Sequence, residues 1–497
     1  MPKPFPFLRL GLLTFAALAI HGYHLGVEDG EIYIPAARKL LHPDLYPFAP
    51  EFFQSHAHLS LFSPILAGTA WLTHLSMDWT VFAWYLVSLF ATISGCWLLA
   101  RACFSTERAQ WSAMLVVTAV LTMPATDTGL LLIDPYLTAR SFSTPLTLIT
   151  LAAFVERRYV LAGLFLAATA CIHPQMSVYL VLLAPVILLA DRITACSDRR
   201  IATAFEPVPA TLAAGFLYRM QLQVAPASGA YREALFSRDY FFLYNWTWYH
   251  WLGVVAPLAI LLWFWQANPR GANPVLRHIS LALVFFGTIS VAAAACLSSS
   301  PRFQMLVRLQ PMRTFHLVTL LFVLLLAGIA GEYLSERWTW VIPMLAVALS
   351  IGMFVVERST YPNSAHIEFP GRTSSNPWVQ TLQWIRQNTP PDAVFAVDSR
   401  YFKQDVVDVH GFRAISERSA LADYYKDSGA VAMFPALATE WKQMSDATQG
   451  LNHFSLPQFE ALRQRFPDVT WTVISGPPPA GMHCPYWQNQ YSVCQIP

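Results

Sequence analysis

Residues 1–23 read MPKPFPFLRLGLLTFAALAIHGY. Lys3 and Arg9 flank an apolar run, and no acid occurs before Glu28. Cations ahead of an apolar run make a membrane start signal with its amino end in the cytoplasm. Ala17-Leu18-Ala19 mimics a signal-peptidase site. An uncleaved first span is nevertheless expected, because the segment after it needs to be held at the membrane surface. Further apolar segments recur at 60–76, 79–100, 109–125, 142–156, 160–173, 176–191, 205–220, 250–265, 277–298, 314–332 and 339–356. Several fall short of the ~20 residues that span a bilayer, and tilt or local thinning absorbs such mismatch.

Composition agrees. Of 497 residues only 12% are charged and 55% are hydrophobic, with a mean hydropathy of +0.40. A water-soluble chain of this length needs more charge to cover its surface, so lipid is the expected second solvent. The net charge of +2 offers no polyanion-binding face, and no nucleic-acid partner is expected. Abundant Trp, Tyr and Phe suit the two interfacial belts.

The positive-inside rule assigns Arg101/Arg108, Arg157/Arg158, Arg192/Arg199/Arg200 and Arg270/Arg277 to the cytoplasm. Alternation holds if 60–100 crosses once, with one of its two pieces re-entrant or interfacial. The expected fold is an α-helical polytopic protein of about eleven to thirteen spans in the cytoplasmic (inner) membrane. Residues 1–356 form the membrane domain, and 357–497 form a small extracytoplasmic α/β domain. The loop 24–58, the stretches 126–141, 221–249 and 299–313, and the tip His173-Pro174 then face outward.

Within the tail, Asn376-Pro377 offers an N-cap and first-turn Pro ahead of WVQTLQWIRQNT. Ser455 and Pro457 open a second helix, and Ala393–Val397 and Val469–Ile474 read as strands. With the tail outside the cytoplasm, Cys484 and Cys494 can form a disulfide, and two free thiols are the equal alternative.

The first loop carries EDGEIYIPAARKLLHPDLYPFAPEFF from Glu28. Glu28, Asp29 and Glu31 stand at the end of the first span, where carboxylates are costly unless hydrated or used. One of them is placed to act as a general base or to hold a divalent cation on a phosphate donor. Solvation of a loop end is the plain alternative. IYIPAARKLL reads as an amphipathic helix lying on the membrane.

Other outward polar groups are Asp134 and Arg140 in IDPYLTARSFSTP, His173 in an apolar hairpin, and Arg308, Gln310 and Arg313 in RLQPMRTFH. Arginines at an outer boundary suit a phosphate through their bidentate fork, or else they snorkel or pair with acids. A membrane-embedded His is a functional candidate by default, against a satisfied imidazole at a helix break. His56 and His58, with Glu51, have a weak metal-ligand spacing.

Asp29-x-x-x-Tyr33, the small-residue amphipathic stretch and Leu45-Tyr46 together resemble the first external loop of GT-C glycosyltransferases. The resemblance implies a polyprenyl-phosphate sugar donor, a glycan, lipid or protein acceptor, and an acid of this loop as catalytic base. Asp29 matches the leading acid. Many relatives carry Asp-Glu where this chain has Asp29-Gly30, so the second acid lies between Glu28 and Glu31. The tail segment GFRAISERSALADYYKDSGA, 411–430, is similar to a segment of external domains in bacterial GT-C-like proteins. A transporter or flippase of an anionic lipid, and a non-catalytic assembly protein on the same scaffold, are the alternatives.

Overall fold

The computed structural model describes residues 5–197, 229–267, 273–334, 336–402, 408–488 and 490–497. The apolar segment 205–220, Arg199, Arg200 and Arg270 lie outside the described residues. The helices are α1 (Phe7–His21), α2 (Gly30–Leu41), α3 (Glu51–Ala57), α4 (Phe62–Thr73), α5 (Met77–Cys103), α6 (Glu107–Ala119), α7 (Ala139–Val155), α8 (Tyr159–Ile172) and α9 (Pro174–Ser197). After them come helices Gly229–Phe236, Trp248–Ala267, Pro274–Ser298, Phe315–Tyr333 and Val341–Thr360.

Six described helices are long and apolar enough to cross a membrane: Met77–Cys103, Pro174–Ala195, Trp248–Ala267, Pro274–Ser298, Gln304–Tyr333 and Val341–Thr360. Three shorter apolar helices accompany them, α1, α7 and α8. Among the described residues, which omit 205–220, the tally of long helices is below the eleven to thirteen expected spans, and local breaks shorten several runs. Gly22 ends α1 at φ 71°. A capping box between Thr138 and Ser141 starts α7. His173 ends α8, and Pro174 starts α9 immediately.

The 60–100 ambiguity takes a definite form. Ser76 caps α5, its Oγ accepting from Trp79 N. The preceding α4 has only 12 residues, about 18 Å at 1.5 Å per residue. It starts against the tip of α8, where Leu61 N donates to Cys171 O at 2.8 Å. Only α5, with 27 residues, is long enough to cross.

The described arginines flagged by sequence collect away from residues 357–497. Arg101 ends α5, and Arg157 and Arg158 form the α7–α8 turn. Arg108 donates to Gly331 O and Glu332 O at 2.7 and 2.9 Å. The opposite pole meets the C-terminal domain, through Asp78 at the start of α5, which pairs with Arg386, and Glu357 near the end of Val341–Thr360, which pairs with His366.

That domain is built on a mixed five-stranded sheet of order β2-β1-β3-β5-β4. Its strands are β1 (Val394–Ala396), β2 (Ser419–Ala420), β3 (Val469–Ser475), β4 (Tyr486–Gln488) and β5 (Tyr491–Gln495). β1 runs parallel to β2 and β3, and β5 runs antiparallel to β3 and β4. Asn376 caps Pro377–Asn388 through Trp378 N at 2.9 Å, and Ser455 forms a capping box with Gln458. Cys484 and Cys494 are joined as a disulfide.

Helix α2 departs from its expected place on a lipid surface. It is buried on most sides, including Glu31 and Arg38, and lies between the helical bundle and the C-terminal domain. Arg38 supplies the reason, because a buried guanidinium needs several acceptors. It donates to Asp78 and to Ala414 O, and pairs with Glu417 at 3.1 Å. Arg386 closes the network on Asp78 and Glu417, at 3.4 and 2.8 Å.

Candidate functional site

Two adjoining cavities, of about 140 and 350 Å³, lie between the helical bundle and the C-terminal domain. They share Asp29, Arg140, Arg238, Tyr240 and Arg313. The smaller adds His56, His173, Gln175 and Gln310, with apolar walls at Leu59 and Ile172. The larger adds Glu28, Asp127, Tyr361, Tyr425 and Lys426.

Asp29 enters through the turn that starts α2. Glu28, just before it, takes a left-handed φ of 52°, which is uncommon outside glycine. Arg140 stands in the first turn of α7, where a cation opposes the helix dipole. Two carboxylates offset this: Asp29 Oδ2 at 3.1 Å and Asp134 Oδ2 at 2.8 Å. Asp134 is buried and also accepts from Thr138 Oγ1 at 3.3 Å, so it holds Arg140 rather than facing the cavities. Burial raises the Asp29 pKa, but Arg140, Arg313 and Arg238 outweigh it and hold the carboxyl below its ordinary value. Asp29 is therefore an anion at neutral pH.

Arg238 and Arg313 have no carboxylate within ion-pair distance among the described residues. Arg238 Nη2 donates to Tyr425 O at 2.6 Å, and Arg313 Nη2 lies 3.4 Å from the Tyr240 hydroxyl. The Nε atoms of both are buried without a partner. Burial raises the Tyr240 pKa, and the two guanidiniums more than reverse it, leaving the phenol below its usual value. Against Asp29, the shared wall thus carries a surplus of positive charge.

His56 and His173 complete the smaller cavity, each with a buried Nδ1 that has no partner. Burial pushes His56 down to about 4, with Asp29 opposing and Arg238 and Arg313 assisting. Gln310 sits at a left-handed φ of 51°, and its Oε1 is likewise buried and unpartnered.

The remaining candidates go elsewhere. Glu31 accepts from Arg413 N at 3.0 Å and Ala414 N at 2.9 Å, clamping α2 to the C-terminal domain. Glu28 pairs with Lys426, whose Nζ lies 3.7 Å from Asp29 Oδ1. Arg308 reaches Met433 O at 3.4 Å and lines neither cavity. His58 is exposed outside both, and His56, His58 and Glu51 form no metal-ligand group among the described residues.

Sequence reasoning missed Arg238, Tyr240 and Lys426. The first two lie in the outward stretch 221–249, and the third lies in the polar tail segment 411–430. Gly429 lets Arg238 in, since a Cβ there would stand 2.3 Å from Arg238 Nη2.

A family model described as a domain of unknown function (DUF6798) matches residues 376–447. The matched stretch includes Arg413, Glu417, Lys426 and Gly429, which face α2 or the cavities. No curated protein matches the chain.

Proposed function

We propose that this chain is a multi-pass GT-C-type glycosyltransferase of the cytoplasmic membrane. It transfers a sugar from a polyprenyl-phosphate donor to an acceptor on the extracytoplasmic side. One observation carries the reading: an ionised first-loop carboxylate, Asp29, shares a cavity wall with two arginines that have no carboxylate of their own among the described residues. Such a wall calls for an anion, and a phosphate satisfies planar guanidiniums through paired hydrogen bonds.

In this reading Arg238 and Arg313 hold the donor phosphate. The lipid tail leaves along the apolar wall at Leu59 and Ile172, and the acceptor occupies the larger cavity. Asp29 takes the proton of the acceptor hydroxyl as the acceptor oxygen bonds the anomeric carbon. The sugar–phosphate bond breaks, its electron pair leaves on the phosphate, and the anomeric centre inverts. Arg140, fixed by Asp134, holds Asp29 in place. The arginines at the far pole support a cytoplasmic face there and an extracytoplasmic C-terminal domain.

The test uses purified Asp29→Asn with polyprenyl-phosphate sugars and a mixture of envelope acceptors. Loss of a general base lowers kcat by roughly 10²–10⁴-fold. Transfer at the wild-type rate by a folded Asp29→Asn protein sinks the catalytic assignment. Movement of lipid across proteoliposomes without covalent transfer favours a flippase instead.

A further inference from the structure

Away from the cavities, His24, Glu368 and His410 bring three ligand atoms within 4.8 Å of one another. His24 follows α1, whereas Glu368 and His410 belong to the C-terminal domain. His24 and His410 are 0% and 1% exposed. His24 Nε2 lies 2.7 Å from Glu357 Oε1. With the proton on that nitrogen, the lone pair of His24 Nδ1 faces Glu368 Oε2 at 3.7 Å. The His24 Nδ1 is buried and has no hydrogen-bond partner among the described residues. His410 Nε2 lies 2.9 Å from the same carboxylate oxygen. In the neutral ring, a lone pair aimed at a carboxylate is repulsive unless a metal cation stands between them; a second ring proton is the competing way to join the two.

We infer that His24, Glu368 and His410 bind one divalent transition ion of the zinc class, which ties the start of the first loop to the C-terminal domain. Two imidazoles and a carboxylate are a ligand set such ions favour. Ligand atoms on a tetrahedral ion stand roughly 3.4 Å apart, given bonds of about 2.0–2.1 Å. The separations of 2.9 and 3.7 Å bracket that spacing. The outer shell fits at His24, whereas the buried His410 Nδ1 has no orienting partner among the described residues. Glu357 orients His24 through its second nitrogen, the carboxylate–histidine–metal arrangement. Glu357 is itself fixed by His366, whose Nε2 meets Ala19 O at 2.8 Å. The neighbouring cavity of about 280 Å³, lined by Leu25, Glu368 and His410, supplies an access route.

The test uses full-length protein in detergent, stripped with chelator, loaded with Zn²⁺ or Co²⁺ and desalted. The expected result is about one ion per chain by elemental analysis, with visible d–d bands for Co²⁺. Zn²⁺ in excess then raises the melting midpoint by roughly 3 °C or more. His24→Gln with His410→Gln loses the ion, Glu357→Gln binds it about 10–100-fold more weakly, and His58→Gln retains it. Folded wild type that takes up no ion and shows no shift overturns the site, leaving a proton-bridged His–Glu network. Stoichiometric metal in a folded double variant overturns it as well. If the double variant does not fold, stripping and reloading the wild type still decides.

Discussion

At the scale of single residues, the site depends on close approaches that a small change disturbs. In Gly429→Ala the new methyl collides with Arg238 Nη2, which stands 2.3 Å from the Cβ position. The guanidinium has to withdraw, and under the proposed transferase reading donor KM rises while kcat changes less; equal KM in both proteins removes Arg238 from the proposed donor site. His56 gives a pH signature. Its folded pKa of about 4 lies below the ordinary 6.5, so the folded state binds fewer protons between those values. Its contribution to stability is complete above pH ~6.5 and is lost as pH falls toward ~4. Thermal melts from pH 7 to 4 show a steeper decline for wild type than for His56→Gln; parallel curves contradict the assignment. Asp29, Arg140, His173 and Arg313 were legible in the sequence because polar groups that interrupt apolar runs stand out. Arg238, Tyr240 and Lys426 were not, because a charge in a polar loop carries no penalty that marks it.

At the scale of elements, α2 is a wedge rather than a raft. Its amphipathic pattern was legible, but its partners were not: Arg413 N, which Glu31 accepts from, is 382 residues away in sequence. Nothing local announces such a pairing. The clamp continues through Arg413, which forms a bidentate pair with buried Asp427 at 3.0 and 2.7 Å. Removing one partner of a buried pair leaves the other charge short of compensation, here with Glu31 Oε1 at 3.5 Å as a remaining carboxylate. Asp427→Asn is therefore expected to cost about 3 kcal/mol, read as a lower midpoint for loss of the monodisperse peak on heating in detergent. An unchanged midpoint means that the Arg413 charge finds compensation elsewhere. Apolar runs located the helices well, whereas their ends depended on caps. The Thr138–Ser141 box and the His173-Pro174 break set where α7 and α9 begin, and so set where Arg140 and His173 stand.

At the scale of the whole molecule, a helical bundle and a mixed-sheet domain enclose a polar seam between them. A small C-terminal sheet was legible from the composition shift near 357, and Cys484–Cys494 pairing was one of two open readings. The proposed orientation puts single cysteines introduced at Glu460 or Arg465 within reach of a membrane-impermeant thiol reagent on intact spheroplasts. One introduced at Arg158 should react only after lysis, and the reverse pattern inverts the topology. The clamp on α2 also has a consequence for biogenesis. Glu31 leaves the ribosome 382 residues before Arg413, its backbone donor. At about 5–20 residues per second, that interval lasts on the order of tens of seconds. Throughout it, Glu31 lacks both of its backbone donors, and Arg38 has Asp78 but neither Ala414 O nor Glu417. A chain that stops before residue 413 therefore keeps the Glu31 end of α2 unclamped, which sets it apart from a finished protein.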